Sequence, residues 1–442
     1  MEIKKLHIEH FTQFTKLTVE LARHVTVFIG NNGAGKTSLL RAVATLLSWL
    51  IARIGREKGS GSPILDLDIE NGAKFSKMTL EVGDLPTADN QEPLQWTLVK
   101  QRKGFKNDLS SFLNPVTVLA NLYRNRLSQN DQSCLPLVVY YPVERVVLDI
   151  PLKIKTRHSF GQVDGYDNAL TPGVDFRRFF EWFRECEDVE NESSRGAMQQ
   201  LLESLENHSQ DVQLTEKLLQ FPYDKQLTAV RNAIATFMPG FSKLRVQRKP
   251  RLQMTVEKHG QTLDVAQLSQ GEKSLMALVG DIARRLAMMN PGLENPLHGE
   301  GFVLIDEIDL HLHPQWQRGL IQRFRDTFPN CQFLLATHSP LIISDAKDVR
   351  CYALDNGQLT LIKDLYGLDA NQVLVEVMDT EIRNEEVQQK ITVLLDFIQE
   401  GDLERAQAAL SQLETELSAH HIELTKARLL IKRLEVLRAK DR

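Results

Sequence analysis

Eight consecutive residues, Gly30, Asn31, Asn32, Gly33, Ala34, Gly35, Lys36 and Thr37, match G-x-x-x-x-G-K-[ST] at every fixed position. The pattern suits a multiply charged anion. Glycine at 30, 33 and 35 lets the backbone turn with positive φ, so that successive N–H groups converge on phosphate oxygens with no Cβ in the way. The helix opening at Lys36, Thr37 and Ser38 adds its positive dipole end. Lys36 has the reach for β and γ phosphates, and the Thr37 hydroxyl is a ligand for Mg²⁺.

Three further stretches carry chemistry. FVLIDE (302–307) is an apolar run ending in two carboxylates, a costly arrangement unless a cation or polar site receives them. It predicts Asp306 holding Mg²⁺ through water and Glu307 orienting the attacking water. QLSQGE (267–272) opens a helical run; Ser269 sits at its start, where a hydroxyl and free N–H groups suit an anion, with Gln270, Gly271 and Glu272 completing the turn. CQFLLATHSP (331–340) reads as a buried strand with His338 at its end. His311 and His313 lack a third clustered ligand and make a poor metal site.

These groups need a scaffold. Val25, Val27 and Ile29 alternate as a strand before the glycine-rich loop, and an apolar helix follows it. Ile3 to Ile8 and Leu17 to Leu21 predict two short strands; GREKGSGSP (55–63) predicts a mobile loop; 65–82 and 94–102 alternate like antiparallel strands, a β-rich flap. LPLVVYY (135–141) is compact enough to enter a central sheet. Between Phe176 and Met238 the spacing turns helical, with Phe176, Phe179, Phe180 and Phe183 as a packing face. FSKLRVQRKPRLQMTV (241–256) predicts a strand pair with a basic corner of Lys243, Arg245, Arg248, Lys249 and Arg251.

The 442 residues, 42% hydrophobic and 25% charged, suffice for two or three domains, and a net charge of −5 gives no global pull toward nucleic acid. Four scattered cysteines form no C-x-x-C pair and fit a reducing cytoplasm. The apolar stretch 42–52 is too short to span a bilayer, so no membrane segment is expected.

The order of phosphate loop, LSQGE, LIDE and THSP resembles that of ABC-type ATPases, whose signature is commonly LSGGQ. IKKLHIEHFTQF with VTVFIGNNGAGKTSLL, LIDEIDLHLHP and LLATHSP is similar to the RecF/SMC-like branch, and in particular to ATPases of bacterial anti-phage systems. The stretch 363–391 looks most like the PtuA family of Septu systems and of retrons that contain them. The resemblance implies an α/β fold: an ABC-type P-loop NTPase head with a mixed or parallel central sheet, in two parts (1–145, with the β flap, and 241–365). A helical insertion (146–240) and a helical tail (366–442) for oligomer or partner docking complete it. The apolar spacing of Leu403, Ala406, Leu410, Leu413 and Leu417 is the expected docking stripe.

It further implies ATP and Mg²⁺ as cofactors and a homodimer or higher homo-oligomer. Each ATP would lie between Gly30–Thr37 of one copy and Ser269–Gly271 of the other, with His338 on the γ-phosphate and the catalytic water. An HNH-type effector nuclease is the implied partner and direct DNA contact a further possibility. A RecF-like DNA-repair ATPase and a nearly inactive nucleotide-sensing scaffold are the alternatives. About 230 residues separate phosphate loop and signature without sustained heptads, which excludes an SMC rod. No acidic nuclease cluster appears in the tail, against an OLD-like Toprim domain. Three departures stand out: Gln270 replaces the usual signature glycine, His313 stands where many relatives carry aspartate, and no glutamine follows LPLVVYY to sense the γ-phosphate.

Overall fold

The computed structural model has thirteen strands and twelve α-helices among its described residues. It describes residues 1–85, 93–105, 108–143, 160–171, 176–207, 224–345, 347–363, 365–378, 384–417 and 421–440. The strands are β1 (Glu2–Phe11), β2 (Phe14–Glu20), β3 (Val25–Ile29), β4 (Phe75–Gly83), β5 (Leu94–Gln101), β6 (Leu137–Tyr141), β7 (Phe241–Gln247), β8 (Gln253–Lys258), β9 (Gln261–Asp264), β10 (Gly301–Ile305), β11 (Cys331–Thr337), β12 (Arg350–Asp355) and β13 (Gln358–Ile362). The helices are α1 (Lys36–Gly55), α2 (Asn114–Gln129), α3 (Phe176–Asn207), α4 (Lys225–Phe237), α5 (Gln270–Met289), α6 (Pro314–Gln317), α7 (Leu320–Thr327), α8 (Pro340–Ser344), α9 (Ala370–Glu376), α10 (Glu385–Gln399), α11 (Leu403–Glu416) and α12 (Ile422–Lys440). Two units result, Met1–Leu368 and Asp369–Arg442.

The first unit is built on a six-stranded sheet in the order β13-β12-β3-β11-β10-β6. All its pairings are parallel except that of β12 with the edge strand β13. Every residue of β3, β6, β10 and β11 is buried, as continuous apolar runs require when both faces of a parallel sheet are covered. The register sets Ile29 against Thr337 and Ile305 against both Leu335 and Tyr141. The loops after β3, β6, β10 and β11 therefore leave from one carboxyl edge, where ligands of open α/β sheets bind.

Helix α1 passes the length and composition test for a membrane span. It is instead a core helix: Leu39, Leu40, Val43, Leu46, Leu47 and Leu50 are at most 1% exposed. The flap is an antiparallel sheet, β2-β1-β4-β5, and a third sheet is β7-β8-β9. Two expectations are corrected here. Alternation from 65 does not begin a strand, because Asp66–Asp68 is a 3₁₀ turn in which Asp68 accepts the Leu65 N–H at 3.0 Å and pairs with Arg41; the strand starts at Phe75. The glycine- and serine-rich segment 55–63 is fastened to α1: Ser62 N–H donates to Ser48 Oγ at 2.7 Å and Trp49 Nε1 donates to Ser62 O at 3.1 Å. Gly61 lies so close to α1 that a Cβ would fall 2.5 Å from the Trp49 nitrogen.

Phe179, Phe180 and Phe183 of α3 are fully buried packing residues, while the Phe176 side chain lies outside the described residues. The basic corner is largely spoken for by the chain's own acids: Lys243 pairs with Glu257, Arg248 with Glu187 and Asp188, and Arg251 with Asp264.

The second unit, taken alone, is a helical bundle whose core is Ile391, Leu394, Ile398, Ala406, Leu410, Leu413, Leu424, Ala427 and Ile431. Ala406, Leu410 and Leu413 are buried there, with Leu403 and Leu417 packed against them. The apolar spacing expected to be a docking stripe is thus the bundle's own interior, because α11 lies between α10 and α12 and must bury that face within the unit.

Candidate nucleotide site

The phosphate loop leaves β3 with Gly30 at φ 148°, Gly33 at 80° and Gly35 at 109°. A Cβ at Gly30 would sit 2.2 Å from the Leu354 carbonyl oxygen, so glycine is what lets the loop pass β12. Gln13, from the turn between β1 and β2, donates from Nε2 to the Gly33 carbonyl at 3.0 Å and props the loop from outside. Asn31, Asn32, Gly33 and Thr37 are exposed, Gly35 and Ser38 half-buried, and Ala34 and Lys36 buried. Lys36 Nζ donates to the carbonyls of Gly30 at 2.8 Å and Asn31 at 3.1 Å, which holds the ammonium inside the loop's curve. Burial lowers its pKa, opposed by the fields of Asp306, Glu307 and Asp309.

Asp306 follows β10 and is fully buried, its N–H donating to the Tyr141 carbonyl at 2.9 Å across the sheet. Glu307 takes a left-handed backbone, φ 43°, a strained conformation of the kind that collects at functional sites. Two residues on, Asp309 accepts at Oδ1 from the Thr337 hydroxyl at 2.5 Å and from the His338 N–H at 3.3 Å. It pins the histidine's backbone to the acidic loop. Ser339 Oγ donates to Gln317 Oε1 at 2.6 Å, tying the next residue to α6. The His338 pKa lies below its ordinary 6.5 because burial and then Lys36 disfavour the cation, while Asp309, Glu307 and Asp306 oppose them. Burial and Lys36 thus favour the neutral imidazole.

One set of acids thus acts on both Lys36 and His338, and the structure brings Lys36, Asp306, Glu307 and His338 together. The turn Ser269–Glu272 belongs to a different set of contacts. Ser269 caps α5: its hydroxyl accepts the Glu272 N–H, and Glu272 Oε2 accepts the Ser269 N–H at 2.9 Å. Glu272 also binds Lys258 of β8 at 2.6 Å, so its carboxylate is turned into its own helix and strand rather than toward a ligand. Ser269 and Gln270 are exposed. Gly271 lies against the loop after Asp306, where a Cβ would be 2.2 Å from the His311 carbonyl oxygen. His313 Nδ1 accepts the Gln315 N–H and caps α6. The stretch after Pro142 and Val143 that would hold a γ-phosphate sensor lies outside the described residues.

Sequence reasoning missed Asp309 and Gln13. A third acid in DEID was available as a signal for Asp309; nothing in the spacing marks Gln13, whose role exists only because the β1–β2 turn folds back on the loop.

The residues fit a nucleotide with Mg²⁺. The glycine-rich turn and the buried ammonium it holds suit a polyphosphate, and a fully buried carboxylate whose field acts on that ammonium is the donor a divalent cation requires. Thr37 and Asp306 are the residues that would hold Mg²⁺.

A family model described as an AAA domain matches residues 5–239, over half of the chain, and one described as an AAA domain, putative AbiEii toxin, Type IV TA system, matches 152–344. The chain is 34% identical over 374 residues to the Retron Vc95 probable ATPase of Vibrio cholerae serotype O1 biovar El Tor, covering 78% of this chain and 71% of that one. It belongs to the AAA-domain retron ATPases. The Retron Ec83 probable ATPase of Escherichia coli is 30% identical over 81% of this retron ATPase and 72% of its own length. A Septu protein PtuA from Bacillus mycoides is 43% identical over 74 residues, 17% of this chain and 10% of that one. Among solved structures, an SMC head bound to the C-winged helix domain of ScpA covers 82% of this chain and 97% of that one at 14% identity and a TM-score of 0.45. With its AAA-domain match, its phosphate loop and its mostly parallel sheet, this retron ATPase is an α/β P-loop ATPase.

Proposed function

We propose that this retron ATPase is the ATP-binding and hydrolysing regulatory subunit of a cytoplasmic anti-phage defence complex, forming ATP-sandwich dimers and higher oligomers and controlling a partner nuclease of the HNH type. The observation that carries the reading is the division of the site. Lys36, Asp306, Glu307 and His338 share one electrostatic neighbourhood, whereas Ser269 and Gln270 stand exposed at a helix start where Ser269 bonds Glu272, itself paired with Lys258. An exposed helix N-terminus suits an anion supplied from elsewhere, even with its capping bonds made. A second copy's γ-phosphate supplies it.

Within one copy, the loop N–H groups and Lys36 hold the phosphates, Glu307 orients the water, and the neutral His338, pinned by Asp309, hydrogen-bonds beside it. Thr37 and Asp306 would hold Mg²⁺, which when bound would supply charge neutralisation on the transferring phosphoryl group. Nucleotide state then sets the assembly, and assembly sets the partner's activity.

Sedimentation of the Glu307→Gln protein with ATP tests the sandwich. The expected result is an ATP-dependent dimer that Ser269→Arg abolishes while ATP binding to one copy persists; dimers undiminished by Ser269→Arg would refute it. Control of a nuclease is tested by co-expressing the adjacent gene product and measuring DNA cleavage with and without ATP.

A further inference from the structure

Helix α12 is apolar on two sides. Leu424, Ala427 and Ile431 face the bundle core and are at most 5% exposed. On the opposite side Ile422, Leu429 and Val436 recur every seven residues and are 69%, 66% and 51% exposed, with Leu430 and Leu437 beside them at 40% and 49%. A three-helix bundle needs one apolar face per helix. The second face is a row about 22 Å long, with a period of seven that matches a straight helical partner.

The charges on that face choose the partner. At 100° per residue, Lys426 and Arg433 fall in the middle of the row, between Ile422, Leu429 and Val436 on one flank and Leu430 and Leu437 on the other. Lys426 is 62% exposed and, among the described residues, pairs with Glu423 of its own helix at 3.3 Å. In a parallel pairing of two copies each cation would meet itself. In an antiparallel pairing centred between Leu429 and Leu430, Lys426 would meet Arg433. Either arrangement sets like charges opposite each other over an apolar contact, which opposes self-association.

We propose that the exposed face of α12 is a docking site for an amphipathic helix of a different protein, with leucine-type residues at heptad spacing and acidic residues between them. The site is independent of the nucleotide chemistry and does not require the partner to be a nuclease.

The test uses full-length protein and two synthetic helical peptides of about 22 residues with the same leucine seam, one with glutamate between the leucines and one with lysine there. Fluorescence anisotropy is expected to show the glutamate peptide binding at least about tenfold more tightly than its lysine twin. The double variant Leu429→Asp, Val436→Asp should lose that preference while keeping the parent's helical content and ATP turnover, because both side chains are exposed. Equal binding of the two peptides, no binding of either, or binding unchanged in the double variant would each overturn the proposal. Two further results count against it: nucleotide-free self-association abolished by the double variant would assign the face to a second copy, and binding to phosphatidylserine vesicles lost in that variant would assign it to a membrane surface. If Lys36→Ala destroys ATP binding but leaves peptide binding intact, the docking site survives whatever becomes of the nucleotide reading.

Discussion

Replacing Asp309 by alanine removes two hydrogen bonds that fix where His338 stands: the 2.5 Å bond from the Thr337 hydroxyl and the 3.3 Å bond from the His338 N–H. Hydrogen bonds to a charged group contribute about 1.5–3 kcal/mol each when buried. The 3.3 Å bond is long, so the lower end of that range applies to it. If only about 1.4–2.8 kcal/mol of the combined loss appears as misplacement of the histidine in the transition state, turnover falls about 10–100-fold. Asp309→Asn is the control. Its side-chain oxygen still accepts both bonds, and the lost charge shifts His338 further in the direction burial already sets, toward the neutral imidazole. Steady-state turnover at pH 7.5 should therefore drop in the alanine variant and stay within about threefold of the parent in the asparagine variant, with ATP affinity, read by equilibrium binding, unchanged in both. An alanine variant with parental turnover would refute the positioning argument. A fall as large in Asn as in Ala would show that charge, rather than geometry, is what Asp309 supplies.

Lys36→Ala removes the buried ammonium that Gly30 and Asn31 hold, and ATP turnover should become unmeasurable; parental turnover would exclude the phosphate-loop assignment. Gly271→Ala drives a methyl group to 2.2 Å from the His311 carbonyl oxygen, so that loop must shift; ATP-dependent dimerisation should weaken about tenfold or more, with single-copy binding retained, as sedimentation and equilibrium binding would report. Asp281→Ala strands the buried cations of Arg284 and Arg285 and should destabilise the protein by about 3–5 kcal/mol, measured by chemical denaturation. Stability should also follow pH at Asp281: burial alone would raise its pKa, but Arg285 and Arg284 hold it well below the ordinary 3.8. A depressed carboxyl stabilises at pH above its unfolded value and loses that contribution as pH falls below about 4. The parent's melting temperature should therefore drop through that acid range more steeply than that of Asp281→Asn.

Whatever depends on period or on a local motif was readable before any coordinates. LVVYY, FVLI and FLLA are continuous apolar runs, and all three lie in fully buried strands because a parallel sheet covers both faces. The phosphate loop needed only its glycines. What stayed hidden depends on partners distant in sequence. Leu403 to Leu417 has the same spacing whether it faces a neighbour protein or its own bundle, and only the placement of α10 and α12 beside it decides. Alternation at Leu65 looked like a strand until Asp68 found Arg41 and its own Leu65 N–H. Glu272 read as part of an anion-binding turn, yet its carboxylate serves Lys258 and the Ser269 N–H. Asp309 matters through Thr337, 28 residues away.

The same distance in sequence explains why α5 carries buried charges along most of its length. Its first turn presents Ser269 and Gln270 outward, and three turns later Asp281 accepts from the Tyr141 hydroxyl at 2.9 Å and from Arg285 Nε at 2.7 Å. Arg285 continues to the carbonyls of Gly165 at 2.6 Å and Asp167 at 3.0 Å, which closes the segment just after the insertion's undescribed stretch. Tyr141 is also the residue whose carbonyl receives the Asp306 N–H. A buried ion-pair cluster adds little net stability over a well-packed apolar one, so stability alone is a weak reason for four polar side chains at most 3% exposed. Their geometry gives a better one. The helix that begins at Ser269 is bonded, through a single tyrosine, to the strand end that carries Asp306, and α5 cannot slide along its axis without breaking a bond to β6.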